Sequence, residues 1–233
     1  MSRAIAALIR HGDYHQLPDT PSAHQPFPLT AAGEQQARAA VAGLQARMAE
    51  NSWELHPVVD SSRLLRGWQT ARIIADDLAQ PLQGPLRVEA FDDLAERGLG
   101  SAANLDTRRI EQILRDDPRF DPPPPDWKSS SHYRLPLQGA ESLMDAGERV
   151  ARHLVTRMSA LVNNVTQDTL KLFVGHGAAF RHAAHHLGLL KFEQIAQLSM
   201  YHVQPVYLEY LPDGTWRHVA GEWKVRAVSE ALD

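Results

Sequence analysis

The sequence predicts an α/β fold, a three-layer αβα sandwich around a mostly parallel central sheet. Short apolar runs at 4–9, 57–60, 86–91 and 169–174 have the make-up of strands buried on both faces. Between them lie longer stretches whose apolar residues recur at helical spacing. Strand and helix alternate over the first ninety residues, an order that calls for parallel strands joined by right-handed crossovers.

The first strand, at 4–9, is followed by a polar, proline-rich segment from 13 to 28. A helix then starts at Thr30, a good N-cap, and Ala37, Val41, Leu44 and Met48 follow in steps of four, three and four. After the strand at 57–60, a second amphipathic helix carries Leu65, Trp68, Ala71, Ile74 and Leu78 ahead of the strand at 86–91. Residues 106–116 predict a short helix. The prolines Pro122 to Pro125 exclude helix and central strand, so 117–138 reads as an excursion over the surface. Leu143, Ala146, Val150, Leu154, Met158 and Leu161 predict a long helix. The strand at 169–174 leads directly into a helix at 177–187, and 203–210 with 215–220 predict a terminal hairpin around Pro212-Asp213-Gly214. The simplest organisation is one domain, 1–233, with a proline-rich excursion at about 106–138.

Composition narrows the chemistry. Lys plus Arg is 24 and Asp plus Glu is 28, a net charge of −4, which argues against a nucleic-acid partner. No apolar run approaches a membrane span, and the amino-terminal run is too short for a signal-peptide core, so a cytoplasmic location is expected. Cysteine is absent, which removes disulfides, thiolate metal sites and thiol catalysis. Any reactive centre must draw on the twelve histidines, the carboxylates, serine or lysine.

Three apolar strands end in polar clusters: Arg10-His11-Gly12, Asp60-Ser61-Ser62 with Arg63 and Arg66 on the next helix, and Gly175-His176-Gly177. Ligands of open parallel sheets bind outside the carboxyl ends of the strands. Convergence of the three clusters would place Arg10, His11, Arg66 and His176 in one cationic pocket. Guanidinium forks match phosphate oxygens, and an imidazole can attack phosphorus. Arg63 competes with Arg66 for that place. His182, His185 and His186 share one helix face, where solvated or packed residues are the commoner reading than a metal site.

Arg10-His11-Gly12 after a first buried strand resembles the signature of the histidine phosphatase superfamily, the phosphoglycerate-mutase-like proteins. Further matches occur in family order over about 4–187: Leu29-Thr30-x-x-Gly33-x-x-Gln36-Ala37, Ser61-Ser62-x-x-x-Arg66-x-x-Gln69-Thr70-Ala71, Leu94-x-Glu96, Glu141-Ser142-Leu143 with Arg149-Val150, and Val174-Gly175-His176-Gly177. The resemblance implies that His11 is the nucleophile, that Arg10, Arg66 and a protonated His176 hold the phosphoryl oxygens, and that Glu96 donates and later recovers a proton. Asp92 and Asp93 are alternatives to Glu96. It implies no metal, and no cofactor is expected.

The same resemblance leaves the branch open. Sugar-phosphate mutases of this type follow the first motif with a Glu/Gln-Ser-x-x-Asn-like stretch, whereas this chain has Asp13-Tyr14-His15-Gln16 and a longer loop. Mutases also carry Arg-Tyr after the acid, and here Arg97 is followed by Gly98. Tyr14-His15 resembles the branch that acts on phosphoproteins. Arg97, Arg115, Arg119, Lys128 and Arg134 remain available for a more anionic substrate, and Tyr14, His15 and Arg97 are candidates for the substrate rim. The expectation is a phosphatase acting on a phosphorylated small molecule or a phosphoprotein, with a phosphoglycerate-type mutase, or a phosphate-binding protein without turnover, as alternatives. Monomer and homodimer both stay open.

Overall fold

The computed structural model describes residues 2–82 and 84–226. In chain order its elements are β1 (Ala4–Arg10), α1 (Ala31–Asn51), β2 (Glu54–Leu55), β3 (Val58–Ser62), α2 (Leu65–Leu82), β4 (Arg87–Phe91), α3 (Thr107–Asp116), α4 (Leu143–Val162), β5 (Thr169–Gly175), α5 (Gly177–His186), α6 (Phe192–Gln197), β6 (Leu198–Ser199), β7 (Val206–Tyr210), β8 (Trp216–Ala220) and β9 (Lys224–Val225). The main sheet runs β4-β3-β5-β1-β7-β8, with β2 beside β5. β4, β3, β5 and β1 are mutually parallel, and the hairpin β7–β8 extends the sheet antiparallel.

Both faces of the sheet are covered, as the unbroken apolar strands require. Ile5, Ala7 and Ile9 of β1 pack with Val41, Leu44 and Met48 of α1 and Ala71, Ile74 and Leu78 of α2. Ala4, Ala6 and Leu8 face the other way, onto Val150, Leu154 and Met158 of α4 and Ala179, Phe180 and Ala183 of α5. Thr30 caps α1 through its side chain, and a Ser142–Asp145 capping box starts α4.

The register sets the functional edge. Arg10 pairs with Gly175 and Ser61 with Val174, so β1, β3 and β5 end almost level. The residues just beyond those three ends are therefore neighbours in space.

The excursion differs from its expected form. It does not simply run over the surface: Ile110 and Leu114 of α3, Trp127 and Leu135 form a small core with Ala23, Leu99 and Ala102. Trp127 is 1% exposed and donates its indole N–H to Glu111 at 3.2 Å. This core rests on Ala23 and Leu99, which belong to the loops that follow β1 and β4.

Candidate active site

His11 stands just past the end of β1 and is 2% exposed. Its Nδ1 lies 2.7 Å from the Gly12 carbonyl oxygen, which can only accept, so Nδ1 carries the proton. Arg66 Nε–H donates to His11 Nε2 at 3.2 Å, so Nε2 carries the lone pair. The two bonds specify one neutral tautomer.

The flanking motifs brace this residue. Gly12 N–H donates to Thr70 Oγ1, and Asp13 N–H to Gln36 Oε1. Thr30 donates its hydroxyl to Asp13 Oδ2 while its oxygen accepts from Gly33 N–H. Gln69 Oε1 accepts from Leu29 N–H. A Cβ on Gly33 would stand 1.9 Å from the Asp13 carbonyl oxygen, so glycine there lets α1 touch the loop backbone. The recognisable spacing of these motifs thus records backbone contacts that hold the His11 loop.

Arg66 is fully buried at the start of α2. Besides His11, it donates to the carbonyls of Gln25 (2.9 Å) and Ala23 (2.7 Å), and its guanidinium lies over the Tyr14 ring at 4.4 Å. Arg63, its competitor, has a side chain 66% exposed and pairs with Asp92. Arg10 donates to the Met200 carbonyl, and its Nε is buried with no hydrogen-bond partner among the described residues. Gly177 lies against this arginine, where an added Cβ would stand 3.2 Å from Arg10 Cδ.

His176, at the head of α5, has its ring centroid 5.0 Å from that of His11. Its Nε2 meets Ser62 Oγ at 2.9 Å, and its Nδ1 is buried without a partner among the described residues. Burial, then Arg66, push the pKa of both His11 and His176 well below the ordinary histidine value. Burial and Arg66 therefore work against the protonated form of His176 that the resemblance implies, while Arg10 and Arg66 bring positive charge to the site.

Among the three acidic candidates, Glu96 is 7% exposed and its charge acts on Arg66, Arg97 and Tyr14. Asp92 and Asp93 have side chains 77% and 59% exposed and turn to Arg63 and His153. Of the rim candidates, His15 is exposed, but Tyr14 and Arg97 lie deeper than a rim. Tyr14 meets the His11 ring edge-on at 5.3 Å and Ser22 Oγ at 2.7 Å. Arg97 donates to the Lys128 carbonyl of the excursion.

Asp60 does not join the pocket. It is fully buried within β3 and binds Lys171 Nζ (2.7 Å), His153 Nε2 (2.9 Å) and Arg157 Nε (2.7 Å). His182, His185 and His186 turn to Ser131 and Ala178, to Leu190, and to Met144. Two further histidines stand at the site without any motif in the sequence to announce them. His202 donates from Nδ1 to the His11 carbonyl at 2.6 Å, and His24 donates from Nε2 to the Glu96 carbonyl at 2.8 Å.

Three buried histidines held below the ordinary pKa make an acid-stability prediction. Burial also lowers His182, to about 3. When the folded pKa is depressed, the unfolded chain binds more protons below about pH 6.5. The stabilisation is therefore complete above that pH and is lost as pH falls, by up to about 1.4 kcal/mol per pH unit for each group. Thermal melts from pH 7 to pH 5 should show a clear fall in Tm, and a flat profile would contradict the assignment of neutral, buried imidazoles.

Residues 6–222 match the histidine phosphatase superfamily, branch 1, and the chain belongs to that family. Solved structures similar to it include a mycobacterial protein described as hydrolase 2 (TM-score 0.69, 21% identity, covering 98% of this chain and 94% of that one). Another is a mycobacterial glucosyl-3-phosphoglycerate phosphatase (TM-score 0.66, 20% identity, covering 96% and 97%). A third is a phosphoglycerate mutase from Bacillus anthracis (TM-score 0.70, 16% identity, covering 94% and 92%). At these identities the likeness establishes the mutase-like fold alone. No curated protein sequence matches the chain. Among the described residues, no helix is long and apolar enough to cross a membrane.

Proposed function

We propose that the chain is a metal-independent phosphatase that hydrolyses a phosphomonoester through a phosphohistidine at His11. The carrying observation is the His11 tautomer: Nδ1–H is fixed on the Gly12 carbonyl and the Nε2 lone pair faces Arg66. In the first step Nε2 attacks phosphorus, the ester P–O bond breaks, and its electron pair leaves on oxygen, which takes the proton of the Glu96 carboxyl. Arg66 passes its Nε–H from Nε2 to a phosphoryl oxygen. Arg10 Nε–H and His176 supply further contacts in a buried site, where such contacts are strong. In the second step Glu96 takes a proton from water, the water oxygen attacks phosphorus, and the P–N bond breaks to return neutral His11.

Hydrolysis is favoured over phosphoglycerate transfer because three of the five additional cations, Arg115, Arg119 and Arg134, are paired with carboxylates. Arg115 pairs with Glu111 and Arg119 with Asp117 within their own segments, and Arg134 pairs with Asp145 of α4. The substrate is a small phosphoester or a phosphoprotein segment, and the activity suits a cytoplasmic enzyme.

The test is phosphate release from a panel of phosphoesters that includes p-nitrophenyl phosphate, at pH 5–8, beside a coupled phosphoglycerate mutase assay. Hydrolysis with only background mutase flux is expected. Mutase flux well above hydrolysis would replace this reading with the mutase. Calorimetric phosphate binding with no turnover of any ester would replace it with a binding protein.

A further inference from the structure

One pair from the motif set has no part in the steps above: Glu141 and Arg149, on either side of the start of α4. Their side chains form a bidentate pair, Nε to Oε1 at 3.0 Å and Nη2 to Oε2 at 2.7 Å. Each then reaches the segment that carries Glu96, and they do so on opposite sides of it. Arg149 Nη1 donates to the carbonyls of Asp92 (3.1 Å), Asp93 (2.9 Å) and Ala95 (3.2 Å). Glu141 Oε2 accepts from Gly98 N–H at 3.0 Å, and Glu141 N–H donates to the Gly98 carbonyl at 2.8 Å. Glu96 is thus the middle of a short span whose two ends are tied to one ion pair.

The tie adds to what holds the segment. The segment leaves the edge strand β4 through a single turn of 3-10 helix, Asp92–Leu94, which Ala95 ends in extended backbone. The Asp92 and Asp93 side chains are exposed, and its inward anchors are the buried Leu94 and Leu99. The helix α4 is well fixed, with Val150 and Leu154 fully buried on the sheet. Burial pushes the Glu141 carboxyl up, but Arg149 and Gly98 hold it below the usual carboxylate range, so the pair is ionised at working pH.

We infer that Glu141 and Arg149 are positioning residues that set the Glu96 carboxyl against the leaving oxygen by clamping the backbone on both sides of it. This rests on the reading of Glu96 as the proton donor. A carboxyl that is misplaced fails to protonate a poor leaving group, while a good leaving group departs without it. The clamp therefore predicts a change in substrate discrimination, which general destabilisation would not produce.

The experiment measures kcat/KM on p-nitrophenyl phosphate, whose phenolate leaves unaided, and on β-glycerophosphate, whose alkoxide needs a proton. The variants are Arg149→Met, Arg149→Lys, Glu96→Gln and, as a surface control on the same helix, Arg152→Met. Arg149→Met should depress the β-glycerophosphate value about tenfold more than the p-nitrophenyl phosphate value, in the direction shown by Glu96→Gln. Arg152→Met should leave the ratio unchanged. Arg149→Lys keeps the charge but loses the planar fork, and should shift the ratio the same way if Arg149→Met does not fold. Equal losses on both esters in a folded Arg149 variant, with Glu96→Gln still discriminating, would overturn the clamp alone. Absence of discrimination in Glu96→Gln would overturn the proton-donor reading, and the clamp with it.

Discussion

Replacing His11 by Asn is expected to abolish ester hydrolysis, with a loss on the order of 10⁴ or more in kcat/KM and no loss of fold. The loss is large because Arg10, Arg66 and His176 can bind a phosphoryl group but none replaces the Nε2 lone pair that forms the P–N bond. The fold survives because the motif contacts around His11 are made by other groups: Gly12 N–H to Thr70, Asp13 N–H to Gln36 and the Thr30 cap of α1. An Asn amide can still donate to the Gly12 carbonyl. Two further signs should accompany the loss. Rapid acid-free quenching of the native enzyme with labelled ester should trap an acid-labile phosphoprotein that the variant does not form. The variant should also lose less Tm between pH 7 and pH 5, since one depressed imidazole has been removed. Hydrolysis by His11→Asn at the native rate would remove His11 from the chemistry.

The site was legible wherever side-chain function and backbone geometry impose a fixed spacing. Arg10-His11 follow directly on a buried strand, His176 stands between two glycines at a strand-to-helix turn, and Arg66 sits four residues past Ser62 at a helix start. Those positions are set by local structure, and periodicity finds them. Glu96 was separable from Asp92 and Asp93 only in three dimensions, because exposure of the two aspartates depends on how the segment leaves β4. His24 and His202 were not legible at all. Each arrives from a long connection, 13–28 or the stretch before β7, and each binds a backbone carbonyl, a contact that leaves no pattern in side-chain spacing.

The fold divides in the same way. The strands β1, β3, β4 and β5 and helices α1, α2, α4 and α5 followed from apolar runs and from steps of three and four. The pieces without a reading are short or irregular: β2, the β6–β9 pair and α6. Strands of two residues are defined by the partner and not by their own pattern. The packing of 117–138 was not legible because its buried residues, Trp127 and Leu135, follow no period and the prolines before them dominate the local signal, whereas 106–116 forms the expected helix.

Asp60 belongs in sequence to the strand-end cluster that supplies Arg66, yet it is buried among cations within β3, and those surroundings predict a large stability effect. Asp60→Asn is expected to destabilise the fold by about 3–5 kcal/mol, because it leaves Lys171 buried without a carboxylate. Lys171 is 2% exposed, and its other hydrogen bond is to the Val58 carbonyl at 3.0 Å. For a chain of this size that corresponds to a fall in Tm of roughly 10 °C. The pH dependence has a definite sign. Burial pushes the Asp60 carboxyl up, but His153, Lys171 and Arg157 outweigh it and hold the group below the carboxylate range. Its stabilisation is therefore present above about pH 4 and lost as pH falls through the folded value. In Asp60→Asn the remaining burden is the ammonium of Lys171, whose pKa burial already lowers. A lowered lysine makes the unfolded chain the better proton acceptor, so the variant should gain stability relative to the native protein as pH rises. Lys171→Met should cost less than Asp60→Asn, since His153 and Arg157 still face the carboxylate. The double variant Asp60→Asn with Lys171→Met should cost less than the sum of the two single losses, because it leaves no buried ammonium without a carboxylate, although His153 and Arg157 still lose their partner. Denaturant melts of the three variants decide the matter: additive losses in the double variant would show that the two charges do not depend on one another.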